Sequence, residues 1–307
     1  MLLTIITFII VLSVLVFAHE LGHFMMARRF GVRAEEFGFG FPPRAFGVYK
    51  NAAGQWKFVW GAKEVTDAPG TVYSINWLPL GGFVKIKGEN GDQENEPDSF
   101  ACRPVWQRAI MLTAGVVMNV ILAAILIIAG YLVGLPQALD NGIDPRAYVR
   151  EQKIQIVQVL KSSPAQAAGL RIGDTILSID NQQFASFSEL QKYVSSKIGQ
   201  QLDYKIKRGQ EQLDEKITPV VIKETGQGGI GIGISETGVV SYPWYLAIWQ
   251  GIIMTLSLVW TIILAFYELI KGLIFGQGVA ADLAGPVGIA TITGQVARLG
   301  FIYLMQF

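Results

Sequence analysis

The chain has 307 residues, 51% of them hydrophobic and only 16% charged, with a mean hydropathy of +0.39. Soluble domains carry about 25% charged residues, so this balance excludes a disordered chain, a collagen or a coiled coil and argues against a fully soluble enzyme. Lys+Arg 25 against Asp+Glu 24 leaves a net charge of +1 and no electrostatic footprint for nucleic acid, and the single cysteine, Cys102, rules out an internal disulfide framework or a Cys-rich metal site.

Met1 to Ala18 is uncharged and carries only three hydroxyls, Thr4, Thr7 and Ser13. Eighteen helical residues reach about 27 Å, against a hydrocarbon core of about 30 Å, so a first transmembrane helix is expected over 1–27. The alternative is a secretory signal peptide ending at Val16-Phe17-Ala18. It requires a basic leading region, and Met1 to Ile10 has neither Lys nor Arg. The helix closes on His19-Glu20-Leu21-Gly22-His23, and these are the only two histidines in the chain. Residues four apart share a helix face, so both imidazoles can grip one ion. Zinc suits such a pair, and bound zinc lowers the pKa of its water from about 15.7 towards 7. Glu20, one residue after the first ligand, stands where a general base is needed. Two stray surface histidines are the alternative, but ionisable groups at the end of an apolar span cost about 2.5–3.5 kcal/mol each at mid-membrane unless paired or functional.

Residues 28–108 form a loop with two alternating runs, Gln55 to Trp60 and Gly82 to Lys87, that read as half-buried strands. The acidic stretch from Asn90 to Asp98 reads as a solvated linker, with no metal-loop spacing. A second spanning helix is expected over 109–135, inside a run uncharged from Ala109 to Leu139 whose Ala114-Gly115 and Ala123-Ala124 pairs permit close helix contact in lipid. Residues 150–224 read as a small soluble domain. Its parts are a strand at 154–159, a short helix capped by Ser163 with Pro164 at its first position, a strand at 175–179, a helix at 188–196 and a strand at 202–207. Gly226 to Gly233 invites a nucleotide reading, but it lacks the GxGxxG order. The segment 240–275 holds a third apolar run, uncharged from Thr237 to Tyr267 and rich in Trp and Tyr, which suits an interfacial or a transmembrane helix. Residues 276–307 are expected to be a loop and the start of one more apolar helix. Arg28, Arg29, Arg33, Arg103 and Arg108 crowd the ends of the first loop and favour a cytoplasmic position for it, which puts 140–236 outside.

The run Phe17-Ala18-His19-Glu20-Leu21-Gly22-His23-Phe24, followed by Ala27, resembles the site-2 protease family of intramembrane zinc metalloproteases (peptidase M50), in the bacterial branch that regulates sigma-E. Glu36-Phe37-Gly38-Phe39-Gly40, Leu80-Gly81-Gly82-Phe83-Val84-Lys85, Phe100, Trp106-Gln107-Arg108-Ala109, Ala114-Gly115 through Asn119, and Gly285-Pro286 match in order. The Ala167-Ala168-Gly169-Leu170 to Gly173-Asp174 run resembles a bacterial PDZ domain. The family has proline where this chain has Val116, which puts a kink there in doubt.

The resemblance implies a polytopic α-helical membrane protein with a membrane-associated β-hairpin region and one inserted α+β PDZ domain. It implies Zn2+ on His19 and His23, Glu20 as catalytic base, and no other cofactor. The activity implied is intramembrane endopeptidase cleavage of single-span substrates in regulated intramembrane proteolysis, the substrate being an anti-sigma factor or a signal-peptide remnant. The location implied is a bacterial inner membrane, with the PDZ domain outside. The hairpin's strand edge would hold a substrate segment extended; an ordinary cytoplasmic loop is the equal alternative. The partners implied are the bilayer, those substrates, and peptide C-termini or extended strands at the PDZ domain.

The family's third zinc ligand is the aspartate of a Leu-Asp-Gly motif, and no such motif occurs in these 307 residues. The expectation is a chain cut short, with the third ligand beyond Phe307; Asp282 as a substitute is the lesser alternative. If 244–267 crossed the membrane, the next helix would end on the wrong side for that ligand, which favours an interfacial or re-entrant helix. A membrane-anchored PDZ adaptor without catalysis is the rival reading.

Overall fold

The computed structural model describes residues 2–306 apart from 64, 66, 67, 92, 140–142, 185, 210, 223–225 and 276–284. In chain order the elements are α1 (Leu2–Arg29), β1 (Ala34–Lys50), β2 (Trp56–Trp60), β3 (Val72–Ile86), α2 (Val105–Val133), β4 (Leu135–Ala138), β5 (Tyr148–Val159), α3 (Pro164–Ala167), β6 (Thr175–Ile179), α4 (Phe187–Ser196), β7 (Leu202–Arg208), β8 (Glu211–Ile217), β9 (Val220–Val221), β10 (Gly228–Gly229), β11 (Ile232–Ser241), α5 (Trp244–Ile274), α6 (Pro286–Leu299) and α7 (Phe301–Gln306). They divide into two compact units: 1–127 with 251–300, and 128–250 with 301–306.

α1, α2 and α5 are each long and apolar enough to cross a membrane. Their large apolar side chains face outward, among them Ile6, Ile10, Val116, Ile121, Trp260 and Ile263. In water that surface would be a large penalty; in hydrocarbon it is the expected one. The chain is a membrane protein. α2 passes Val116 without a break, as a helix does where no proline removes a backbone donor. α5 is likewise unbroken over 31 residues, and no charge falls between Trp244 and Tyr267.

Between α1 and α2 lies a sheet in the order β2-β1-β3. It is strongly bent. Phe37 of β1 pairs with both Tyr73 and Val84 of β3, so the first part of β1 runs between the two halves of β3. The later half of β3, from Gly82 to Ile86, pairs with β1 and packs against α1. Ser13 anchors it: its hydroxyl donates to the Pro79 carbonyl at 3.0 Å and accepts from the Gly81 N–H at 3.2 Å. Gly81 and Gly82 allow the approach, since a Cβ on either would meet Val16 at 2.4 Å or the Phe17 Cα at 2.9 Å. Phe24 stacks on Phe37 with ring centroids 4.5 Å apart, closing the helix onto the sheet.

The second unit holds a six-stranded antiparallel sheet in the order β4-β11-β5-β6-β7-β8. Its core is Ile154, Ile156, Ile176, Ile179, Leu190, Val194, Tyr204 and Ile206 with their neighbours. α3 begins as its sequence dictates, with the Ser163 hydroxyl accepting from the Gln166 N–H and Pro164 in the first turn. β11 lies beyond the expected boundary at residue 224 and yet is an inner strand, paired to β5 from Ile232 to Ser241. The soluble domain therefore needs its Gly-rich tail and the strand after it.

Candidate active site

His19, Glu20 and His23 all lie on α1. The two imidazoles are edge to face with ring centroids 4.8 Å apart, the separation one helical turn imposes. What sits opposite them is Gly115 of α2. A Cβ built on Gly115 would lie 2.5 Å from His23 Nε2 and 2.6 Å from His19 Nε2. Both nitrogens are thus aimed at one small volume that only a glycine leaves empty. The close crossing comes from Gly22, inside the motif itself, where a Cβ would stand 2.3 Å from the Ala114 carbonyl oxygen.

His23 Nδ1 donates to the Met111 carbonyl at 2.7 Å. That bond fixes the tautomer, leaving Nε2 with its lone pair directed into the Gly115 space, the usual outer support of a metal-ligating histidine. The donor set fits zinc: two imidazole Nε2 atoms converge on the space beside Gly115. Among the described residues no third His, Cys, Asp or Glu joins them. Asp282 lies outside the described residues.

Glu20 lies against the sheet, its Cβ 3.3 Å from where a Gly82 side chain would begin. The outer edge of β3 is therefore brought against the motif. Gly115 forms the cradle, Ser13 docks β3, and Asn119, one turn beyond Gly115, holds a buried Oδ1 with no hydrogen-bond partner. Gly115 and Asn119 stand in the run that carries the family resemblance, without a role assigned to either there, and Ser13 had as its signal only a hydroxyl in an apolar run, two turns before Glu20.

The second unit has a groove of about 240 Å³ between α4 and β11, lined by Leu160, Leu190, Val194, Ile230, Ile232 and Ile234 among others. The Gly-rich run that does not suit a nucleotide closes one end of it, with Gly231 at φ +80°.

Residues 7–307 match the family model described as Peptidase family M50. A putative zinc metalloprotease of Brucella suis is 29% identical over 99% of this chain and 77% of its own length. One of Clostridium perfringens is 31% identical over 96% and 76%. The regulator of sigma-W protease RasP of Bacillus subtilis is 26% identical over 99% and 82%. Among solved structures, the PDZ domain of an SdrC-like protein from Listeria innocua is 34% identical, covers 27% of this chain and 92% of its own, and has a TM-score of 0.25.

Proposed function

The chain belongs to peptidase family M50, and from that membership we propose that it is a zinc-dependent intramembrane endopeptidase with its active centre at His19, Glu20 and His23. The observation that carries this reading is the convergence of both Nε2 atoms on the space left by Gly115. Zinc held there supplies Lewis acidity, the means of activating water at neutral pH.

The residues of the chain do the rest. His19 and His23 hold the ion, and the Met111 carbonyl keeps His23 in the ligating tautomer. Glu20, next to the first ligand, takes the proton of the attacking water and returns it to the departing amine. A membrane-spanning substrate is helical, with its peptide groups closed to attack. The edge of β3 from Gly82 to Ile86 offers backbone groups that hold such a segment extended beside Glu20. Strand at this depth is tolerable because α1 and β1 shelter it.

On this reading the substrates are single-span proteins such as an anti-sigma factor already cut outside, or signal-peptide remnants. The second unit is the PDZ domain, facing the outside of a bacterial inner membrane. Its groove takes an extended peptide as an added strand on β11, with the Gly-rich turn 228–231 offering backbone N–H groups to a terminal carboxylate.

Glu20→Gln tests the assignment. The variant should retain zinc and bind substrate while cleavage of a single-span reporter falls by at least about 100-fold. Cleavage at the wild-type rate would remove Glu20 from the mechanism. Zinc loss in the variant would make it a ligand instead.

A further inference from the structure

The peptide groove is not open along its whole strand edge. β11 is flanked by β5 on one side, and on the other β4 covers Thr237 to Val240. Leu139 prolongs that cover, its N–H donating to the Glu236 carbonyl at 2.7 Å. In an antiparallel pair the bonded positions recur at every second residue. Pro136 has no N–H and stands opposite Val239, so the row facing β4 is 240, 238 and 236. The next two positions of that row are Ile234 and Ile232, which line the groove.

β4 runs antiparallel to β11. A peptide bonded to Ile234 and Ile232 in the same sense lies in line with β4, its N-terminal side meeting Leu139 and its C-terminus reaching the Gly-rich turn. We propose that β4 is a built-in stop on this edge, so that a peptide added at Ile234 and Ile232 is paired over about its last four residues and its preceding residues are forced off the sheet at Leu139. The inference rests on the peptide-groove reading above.

The stop can be tested with random C-terminal octapeptides displayed and selected on the full chain in detergent. Residue preferences should be confined to the last four positions, and trimming a selected peptide from eight residues to four should change Kd less than about threefold, under the worth of one net hydrogen bond. Leu139→Pro removes the bond to Glu236 and should let the octapeptide gain about fivefold; Gln137→Pro frees the next position by the same means. Preferences at the fifth to eighth positions of the wild type would overturn the stop and leave the groove intact. So would a folded Leu139→Pro with unchanged length dependence. No enrichment of any peptide would overturn the groove reading and the stop with it.

Discussion

At the scale of single residues, the motif at 19–23 was legible because its chemistry is local. Two histidines one turn apart need only the helix to share a face, and no other histidine competed. Gly115 was not legible as the cradle, because its role depends on a helix 92 positions away in sequence from His23 crossing at Gly22. Tyr204 is a second buried case. Its side chain is 1% exposed and its hydroxyl has no hydrogen-bond partner, and burial, the leading cause, pushes its ionisation well above the ordinary tyrosine value. A folded pKa above the unfolded one means that protection is complete below about pH 10 and is lost as pH rises beyond it. Alkaline titration should therefore unfold the second unit, and the slope above pH 10 should be shallower in Tyr204→Phe. Because an unmet buried hydroxyl costs about 1–3 kcal/mol, the phenylalanine variant should be at least as stable as wild type at neutral pH by urea unfolding. A loss of more than about 1 kcal/mol would mean that the hydroxyl has a partner.

At the scale of elements, the sequence exposes those whose periodicity is complete within a few residues. The alternation at 55–60 and 154–159, and the Ser163-Pro164 cap, are cases. β1 was hidden because Gly38, Gly40 and Pro42-Pro43 break the alternation, and its pairing changes partner along its length. β11 was hidden behind glycines that read as a turn. The third apolar run is one continuous helix with outward apolar side chains from Trp244 to Phe266 and a buried face at Ala247, Gly251 and Thr255, where an interfacial helix needs a polar side. We propose that α5 crosses the membrane. α6 offers the return, since Gly294 packs against Thr4, near the start of α1 and far from the histidines. Cysteines placed singly at Pro243 and Ile274, in a chain with Cys102 replaced by Ser, should react with a membrane-impermeant maleimide from opposite faces of sealed vesicles. Labelling of both from one face would make α5 interfacial. Ser13→Ala, which frees the Pro79–Gly81 segment of β3 from α1, should slow cleavage of a single-span reporter by about tenfold while zinc content stays unchanged. An unaltered rate would detach β3 from substrate positioning.

At the scale of the whole molecule, composition pointed to a membrane and the motif to metal chemistry, while the grouping of the elements into two units came from the fold. The first unit brings the helix of the His19-Glu20-His23 motif, Gly115 and β3 together. The second has an apolar groove whose strand edge is partly filled by the chain itself. What sequence alone did not carry in both units is contact between distant segments: Gly22 with Ala114, Ser13 with Gly81, Leu139 with Glu236. Each joins residues that no local pattern links. The account stands on one structural claim, that the Gly115 space is a metal site. Metal analysis of the purified full chain and of its Gly115→Val variant, with the helical fold of each checked by circular dichroism, tests it most directly. Wild type should carry one zinc per chain, and the folded valine variant, its side chain occupying the space between the two Nε2 atoms, should carry essentially none. A metal-free wild type, or a valine variant with undiminished zinc, would contradict it.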